Sequence, residues 1–561
     1  MHGKNKKIVL KTRTSLLIWL LMLCISTSAL PPKHEVRAVW LATIGGIDWP
    51  HSSNATRQQQ ELTDILDQLK RANINTVLIQ ARVRASTIYP SAMEPFDLCL
   101  TGKHGKNPGY DPLRMIIDEC HRRGMECHAW MVTLPIGKWK EPRCKEFVSK
   151  HPGMTRRIGE EGYMNPEDPR TGDYLARICA EVTRNYDVDG IHLDYIRYPE
   201  TWKLKIPKQQ ARDNITSIVR KINAAVKREK PWVKLSCSPV GKYRDVSRYS
   251  AGGWNAYNAV CQDAQGWLRE GLMDQLYPMM YFKGNQFFPF AVDWNEHSYG
   301  RMVIPGLGIY FLHPREGKWT LDIVQREMEV LRQEGMGHCF FRSKFLTDNT
   351  RDIYDFTLSF NKNPAVIPAM SWLNIAPPSA PATLEVRRGE SADELYWTGA
   401  TDHSDGPYLI YNIYASARSD ANTDDASQLI ATRVMNQHLR VPHAKGAVLS
   451  YAVTAIDRYG NEGSAATDNV AHAGGTTIHQ KIERVASNWI AIPRKPNTLE
   501  AEYLVLETLQ GQIVSMYPYR GEQICIADIP DGIYRMKSLG RKGVTHRIGI
   551  FAVKRPQPKQ E

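Results

Sequence analysis

A TIM-like (β/α)8 barrel of α/β class, followed by a β-sandwich and a small C-terminal β domain, is the architecture the sequence predicts. Three observations predict it. Between Glu35 and Asn361, eight short apolar runs alternate with amphipathic helical stretches, the rhythm of a closed parallel sheet. A Pro-rich stretch then interrupts the pattern. Beyond it come only short alternating strands separated by turn clusters. An open doubly wound sheet competes for the first part, but no G-x-G-x-x-G follows its first strand.

In chain order, residues 1–29 read as a secretory signal peptide. Lys4, Lys6, Lys7, Lys11 and Arg13 make a positive start, Leu16 to Ile25 a short apolar run, and Thr27-Ser28-Ala29 a small-residue cleavage region. The run is well short of the roughly 20 residues that a spanning helix needs. The expectation is export to the periplasm, the outer cell surface or the medium. Contact with a membrane is expected only through an uncleaved N-terminus or lipid on Cys24.

The barrel is expected over 34–363. Its strand-like runs are Val36–Thr43, Thr76–Ala81, Glu126–Val132, Gly190–Tyr195, Val233–Ser238, Asp274–Tyr281, Met302–Leu307 and Gly337–Phe341. Helical patterns lie between them at Arg57–Ala72, Asp111–Arg123, Tyr174–Asn185, Gln209–Arg228 and Leu321–Glu334. Gly124 and Gly335 supply helix stops. A Pro-rich linker covers 364–379. Residues 380–473 carry the alternating runs Leu395–Trp397, Leu409–Tyr414, Leu439–Val441 and Leu449–Ile456, the pattern of a sandwich. Residues 485–555 alternate again and read as a small C-terminal β-sandwich.

Composition narrows the function classes. The 561 residues are 42% hydrophobic and 23% charged, which excludes a largely disordered chain and a multi-span membrane protein. Without the five basic residues of the leader, 67 basic residues face 59 acidic ones, a net +8. That excess is spread without a basic stripe, so nucleic acid is not an expected partner. Nine cysteines remain after the leader, at irregular spacing and with no C-x-x-C, so neither a disulfide framework nor a zinc ribbon is indicated.

The stretch that carries chemistry is Asp187-Val188-Asp189-Gly190-Ile191-His192-Leu193-Asp194-Tyr195-Ile196-Arg197-Tyr198-Pro199. Strand alternation sets Ile191 and Leu193 on one face and Gly190, His192 and Asp194 on the other. With the aliphatic pair against the helices, His192 and Asp194 point into the barrel. Asp194 lies at the carboxyl end of its strand, where barrel enzymes keep their reactive groups. An unpaired carboxylate in a closed core costs several kcal/mol, so Asp194 must meet solvent, a partner or a substrate. Arg82 and Arg84 leave the second strand toward the same mouth, where they either clamp an acidic substrate or form salt bridges. His128 and Trp130 come from the third strand, Tyr281 from the sixth and Tyr310 from beyond the seventh. Aromatic side chains converging on one rim suit a saccharide groove.

Several motifs, taken in order, resemble one family. They are Glu35-Val36-Arg37-Ala38-Val39-Trp40, Asn75-Thr76-Val77 with Gln80 to Arg84, Tyr89-Pro90-Ser91 with Glu94-Pro95, His128-Ala129-Trp130, Asp189 to Pro199, and Pro278-Met279-Met280-Tyr281. Together they resemble the glycosyl hydrolase-like family ten barrels of exported bacterial proteins. The resemblance implies hydrolysis of glycosidic bonds in a polysaccharide, with peptidoglycan glycan strands among the candidate substrates. Two positions depart from the pattern: Ser86 and Tyr195 stand where many members carry an acid. In the second unit, Tyr411 to Tyr414 and Tyr451 to Asp457, with Gly460-Asn461-Glu462-Gly463, resemble strands of a fibronectin type III domain. The Asp189–Ile196 stretch also resembles the D-x-x-D-x-D-x-E signature of chitinases, but Ile196 replaces its glutamate.

Glycoside hydrolysis usually needs two carboxyl groups flanking the scissile bond. Asp194 is assigned the anionic role. Glu94 and Asp48 are the leading candidates for the acid, ahead of Asp245, Asp293 and Glu316. Arg82, Arg84, His128, Trp130, His192, Arg197, Tyr281 and Tyr310 are candidate substrate contacts. No cofactor is called for, and no metal set is assigned. A metal-dependent hydrolase or deacetylase using His128, His192 and Asp194 is an alternative that lacks an H-x-H or D-D pair on the first strand. A non-catalytic glycan-binding protein is the other, favoured by the departures at Ser86 and Tyr195.

Overall fold

The computed structural model describes residues 32–373, 375–470, 483–485, 489–491, 501–508, 513–519, 523–540 and 545–554. The leader and Cys24 lie outside the described residues. The chain divides into two compact units, the larger spanning 32–475.

Parallel strands build the first part of that unit. They are β1 (Arg37–Leu41), β2 (Thr76–Arg82), β3 (Glu126–Val132), β4 (Gly190–Asp194), β5 (Lys234–Cys237), β6 (Gln275–Leu276), β7 (Met302–Val303), β8 (Gly306–Leu307) and β9 (His338–Phe340). Each of β1 to β6 pairs with the next, except that β3 meets β4 across an insertion, and β1 also pairs with β9. The strands β7 and β8 occupy one position in the ring, split at Ile304-Pro305, because proline has no N–H for the ladder. Strand β7 pairs with β6, and β8 pairs with β9. Across the split, the Gly306 amide donates to the Pro278 carbonyl at 2.8 Å, and the Gly306 carbonyl accepts from the Met280 amide at 3.1 Å. The sheet therefore curls back on itself.

The helices predicted between the strands form at Ala55–Arg71, Pro112–Arg122, Pro169–Asn185, Lys208–Glu229 and Leu321–Gln333. Several start on side-chain caps, Asn54, Asp111 and Asp168 each accepting a backbone N–H in the first turn. Their apolar faces and the outward aliphatic residues of the strands form one large core. A separate interior cluster contains Trp40, Leu78, Trp130, Tyr277, Ile304 and Cys339. An antiparallel insertion, Pro135–Lys138, Thr155–Ile158 and Glu161–Met164, stands between β3 and β4.

Residues 383–468 form a three-stranded and a four-stranded antiparallel sheet with a shared core of Leu395, Trp397, Tyr411, Ile413, Tyr451 and Val453. These sheets join the amino end of the barrel strands through buried charges. Glu126 binds Lys234 at 2.7 Å and Arg433 at 3.1 Å. Asp189 binds Arg433 at 2.5 Å, His121 at 2.8 Å and Arg458 at 3.3 Å. Burial pushes both carboxyls up, but these cations more than offset it and hold them below the usual range.

In the smaller unit, Ala501–Thr508, Ile513–Pro518, Gly532–Gly540 and Thr545–Val553 make an antiparallel sheet over Leu504, Leu506, Met536 and Phe551.

Candidate active site

Asp194 ends β4, and the chain turns sharply after it, with Tyr195 in the left-handed region at φ 53°. The Asp194 carbonyl is fixed by the Thr133 amide at 2.9 Å and hydroxyl at 2.8 Å. Its side chain accepts three hydrogen bonds. The Tyr195 amide and the Ser238 hydroxyl donate to Oδ1 at 2.8 and 3.0 Å, and Trp130 Nε1 donates to Oδ2 at 3.1 Å. Three donors and no acceptor match an ionised carboxylate. The residue is 9% exposed, and burial raises its pKa above the usual aspartate value. The donors and the Arg197 charge act in the opposite sense.

Around Asp194, aromatic side chains form the rim. Tyr195 is half-buried, and Tyr281, also within reach of the Asp194 charge, stacks on Phe341 with ring centroids 5.2 Å apart. Tyr310 meets Tyr281 edge-on at 5.7 Å. The Arg197 guanidinium lies over the Tyr195 ring at 4.4 Å. Arg84, one-third exposed, pairs with Glu161 of the insertion at 3.3 Å. The charges of Arg197, Asp194, Glu200 and Arg84 all reach Tyr195. The structure thus brings Asp194, Trp130, Arg84, Arg197 and Tyr281 to one place, with Tyr310 on the far side of Tyr281.

The other expected site residues lie elsewhere. His192 points inward but sits one layer down, fully buried. Trp40 Nε1 donates to its Nε2 at 3.2 Å, so its proton is on Nδ1, 3.0 Å from the Ser236 hydroxyl. Burial holds it neutral, far below the usual histidine range. His128 is deeper still: it bonds Glu126 at 3.0 Å and packs against Gly190, where a Cβ would come within 2.5 Å of its Nδ1. Neither histidine reaches the mouth as a substrate contact. The two are also engaged separately, and the described residues contain no group of three or more His, Cys, Asp or Glu side chains fit for a metal.

Arg82 and Glu94 are likewise sealed. The guanidinium is fully buried, binds Glu94 through Nε and NH2 at 2.6–3.0 Å, and donates to the carbonyls of Val132 and Thr133. Tyr174 adds a hydrogen bond to Glu94 at 2.9 Å. This cluster ties strand to turn and offers no free acid. Asp48 is buried under Arg342 and accepts from the Ala42 amide at 2.9 Å. Burial raises its pKa against the pull of Arg342. Sequence reasoning missed Ser238 and Phe341 as rim residues; Gln80, part of the second-strand motif, accepts from the Thr43 and Ile44 amides at 2.9 and 2.8 Å. Ser236 and Ser238 alternate on one face of the fifth strand, a signal that could have found the serine.

Residues 35–211 and 200–311 match the Glycosyl hydrolase-like 10 family. The glycosyl hydrolase DigH of Escherichia coli (strain K12) is 30% identical over 50% of this chain and 77% of its own length. The chain belongs to the glycosyl hydrolase-like 10 family. The glycosyl hydrolase YngK of Bacillus subtilis (strain 168) is 28% identical over 77% of this chain and 92% of its own. Among solved structures, an alpha-L-fucosidase isoenzyme 2 from Paenibacillus thiaminolyticus is 14% identical at a TM-score of 0.41, over 58% of this chain and 49% of that one. Family membership covers the strand that ends at Asp194, the insertion with Glu161, and Tyr281 on the rim.

Proposed function

We propose that this family member is an exported glycoside hydrolase that cleaves O-glycosidic bonds in a polysaccharide, bacterial cell-wall glycan being a candidate. The observation that carries the reading is the placement of Asp194: at the carboxyl end of the fourth barrel strand, held by three donors, beside a rim of aromatic rings. A carboxylate so held can stabilise an oxocarbenium-like transition state or attack it. Glu94 and Asp48 are sealed with their arginines away from solvent, so the proton donor is sought in Glu161 and Glu200, whose side chains, though paired with Arg84 and Arg197, are 33% and 44% exposed. Aromatic faces and tyrosine hydroxyls on the rim would hold and orient sugar rings. The 380–473 unit is read as a fibronectin type III-like spacer fixed under the barrel.

One observation favours the glycan-binding alternative: both leading candidates for the acid, Glu94 and Asp48, are buried in ion pairs with Arg82 and Arg342. The test is reducing-end release from peptidoglycan strands, chitin oligomers and plant glucans by the wild type and by Asp194→Asn. Cleavage of at least one glycan, abolished by the substitution, is expected. Binding without any release of reducing ends would favour the alternative.

A further inference from the structure

We infer that Arg197 is a specificity-determining residue that receives a carboxylate carried by the sugar bound next to Asp194, so that the substrate is an acidic glycan. The inference rests on the reading of this mouth as a glycan site. A guanidinium presents five N–H donors in a planar fork, and one edge of it, Nε with one N–H of NH2, matches a carboxylate in bidentate geometry. In Arg197 that edge is unused. NH1 is occupied, by the Tyr198 carbonyl at 3.3 Å and by Glu200 at 3.0 Å. Nε is buried and has no acceptor, and NH2 bonds none of the described residues. The residue as a whole is only 4% exposed, and although its charge reaches the buried Asp194 carboxylate, no buried acid bonds its Nε–NH2 edge. A protein does not ordinarily leave such donors unsatisfied.

Three further features suit a receptor. The guanidinium plane is braced between Tyr195 at 4.4 Å and Trp254 at 5.9 Å, which fixes its orientation. Trp254 is 45% exposed, an aromatic face open to a neighbouring sugar ring. The single acid on Arg197, Glu200, is 44% exposed, and a pair of that kind is weak enough for an incoming anion to displace it. Two sources carry the chemistry: the C6 carboxylate of a uronic acid, and a carboxylate on an ether side chain of an amino sugar.

The test is calorimetric titration of the full chain carrying Asp194→Asn, so that bound glycan survives. The probes are oligogalacturonate and peptide-free oligomers of ether-carboxylated amino sugars, each compared with its carboxyl-reduced form. At least one acidic oligomer is expected to bind 10-fold or more tightly than its reduced form, and the one that does names the source. Adding Arg197→Met should abolish the preference and leave affinity for the reduced oligomer within about threefold. Arg197→Lys, which keeps the charge but not the fork, should lose most of it, and Glu200→Gln should strengthen acidic binding two- to threefold; these two decide the matter should the methionine variant not fold. Equal binding of acidic and reduced forms, an equal loss of both in Arg197→Met, or no binding at all overturns the inference. Carboxylate preference without hydrolysis by the wild type would retain it and overturn the glycosidase reading. Equal hydrolysis of acidic and neutral glycans would do the reverse.

Discussion

Removing the Ser238 hydroxyl probes how Asp194 is kept charged. Ser238→Ala deletes the donor at 3.0 Å from Oδ1 and leaves those of Tyr195 and Trp130 in place. A hydrogen bond to a charged group is worth about 1.5–3 kcal/mol, and one pKa unit corresponds to about 1.4 kcal/mol, so the Asp194 pKa should climb by about 1–2 units. The direction follows from the donor favouring the ionised form, which its loss disfavours, on top of a burial effect that already raises the group. Activity that needs the carboxylate is lost as pH falls through this pKa. The acid limb of kcat/KM should therefore move up by the same amount, with a loss on the order of tenfold at the foot of the limb and little change on the plateau. The assay is reducing-end release as a function of pH, with thermal melting to show that the variant is folded. Trp130→Phe should shift the limb in the same direction. An unmoved limb, or one displaced to lower pH, would refute this account of Asp194.

Other consequences are open to direct measurement. Glu327 is 1% exposed with neither carboxyl oxygen bonded, and burial pushes its pKa up to about 9. The folded state then holds a proton that the unfolded chain releases above pH 4.5, so stability drains away between about pH 4.5 and 9, on the order of 3 kcal/mol by neutrality. Glu327→Gln should melt higher than wild type at pH 8 by several degrees, with the difference vanishing near pH 4. Arg433→Met strips a cation from both Glu126 and Asp189 and should cost about 3–5 kcal/mol in denaturant unfolding, the penalty of an uncompensated buried charge; a loss under 1 kcal/mol would show that the network is dispensable. Gly190→Ala would press a methyl to within 2.5 Å of the His128 ring and should destabilise by about 1–3 kcal/mol, with Asp194 chemistry otherwise retained in the folded fraction.

The barrel was legible because most strands are short apolar runs between helices with recognisable caps and stops; the expected Asp274–Tyr281 is shorter, at Gln275–Leu276, and the expected Met302–Leu307 is split in two. The insertion Pro135–Met164 was not. Its strands are short and charged, as in Thr155-Arg156-Arg157-Ile158, and show no apolar alternation. At the site, alternation correctly sent His192 and Asp194 to the same interior face, but it carries no information on depth. His128 pairs in register with Gly190, and Trp130 with His192, so the two histidines fill lower layers while Asp194 alone tops the stack. The pairing of Arg82 with Glu94 depends on a turn that folds residue 94 back over the strand end, which strand periodicity cannot show. Arg197 stands in the sequence as one of several candidate substrate contacts, and its unmatched Nε–H is visible only once its surroundings are assembled.

The claim on which the rest depends is that a buried, still ionised aspartate at the barrel mouth acts on a bound glycan. Measuring binding and turnover separately in Asp194→Asn tests it most directly. The account predicts oligosaccharide affinity within a few-fold of wild type, an unchanged fold, and turnover reduced by at least about 10³. Full turnover in that variant on a glycan that the wild type cleaves would contradict it.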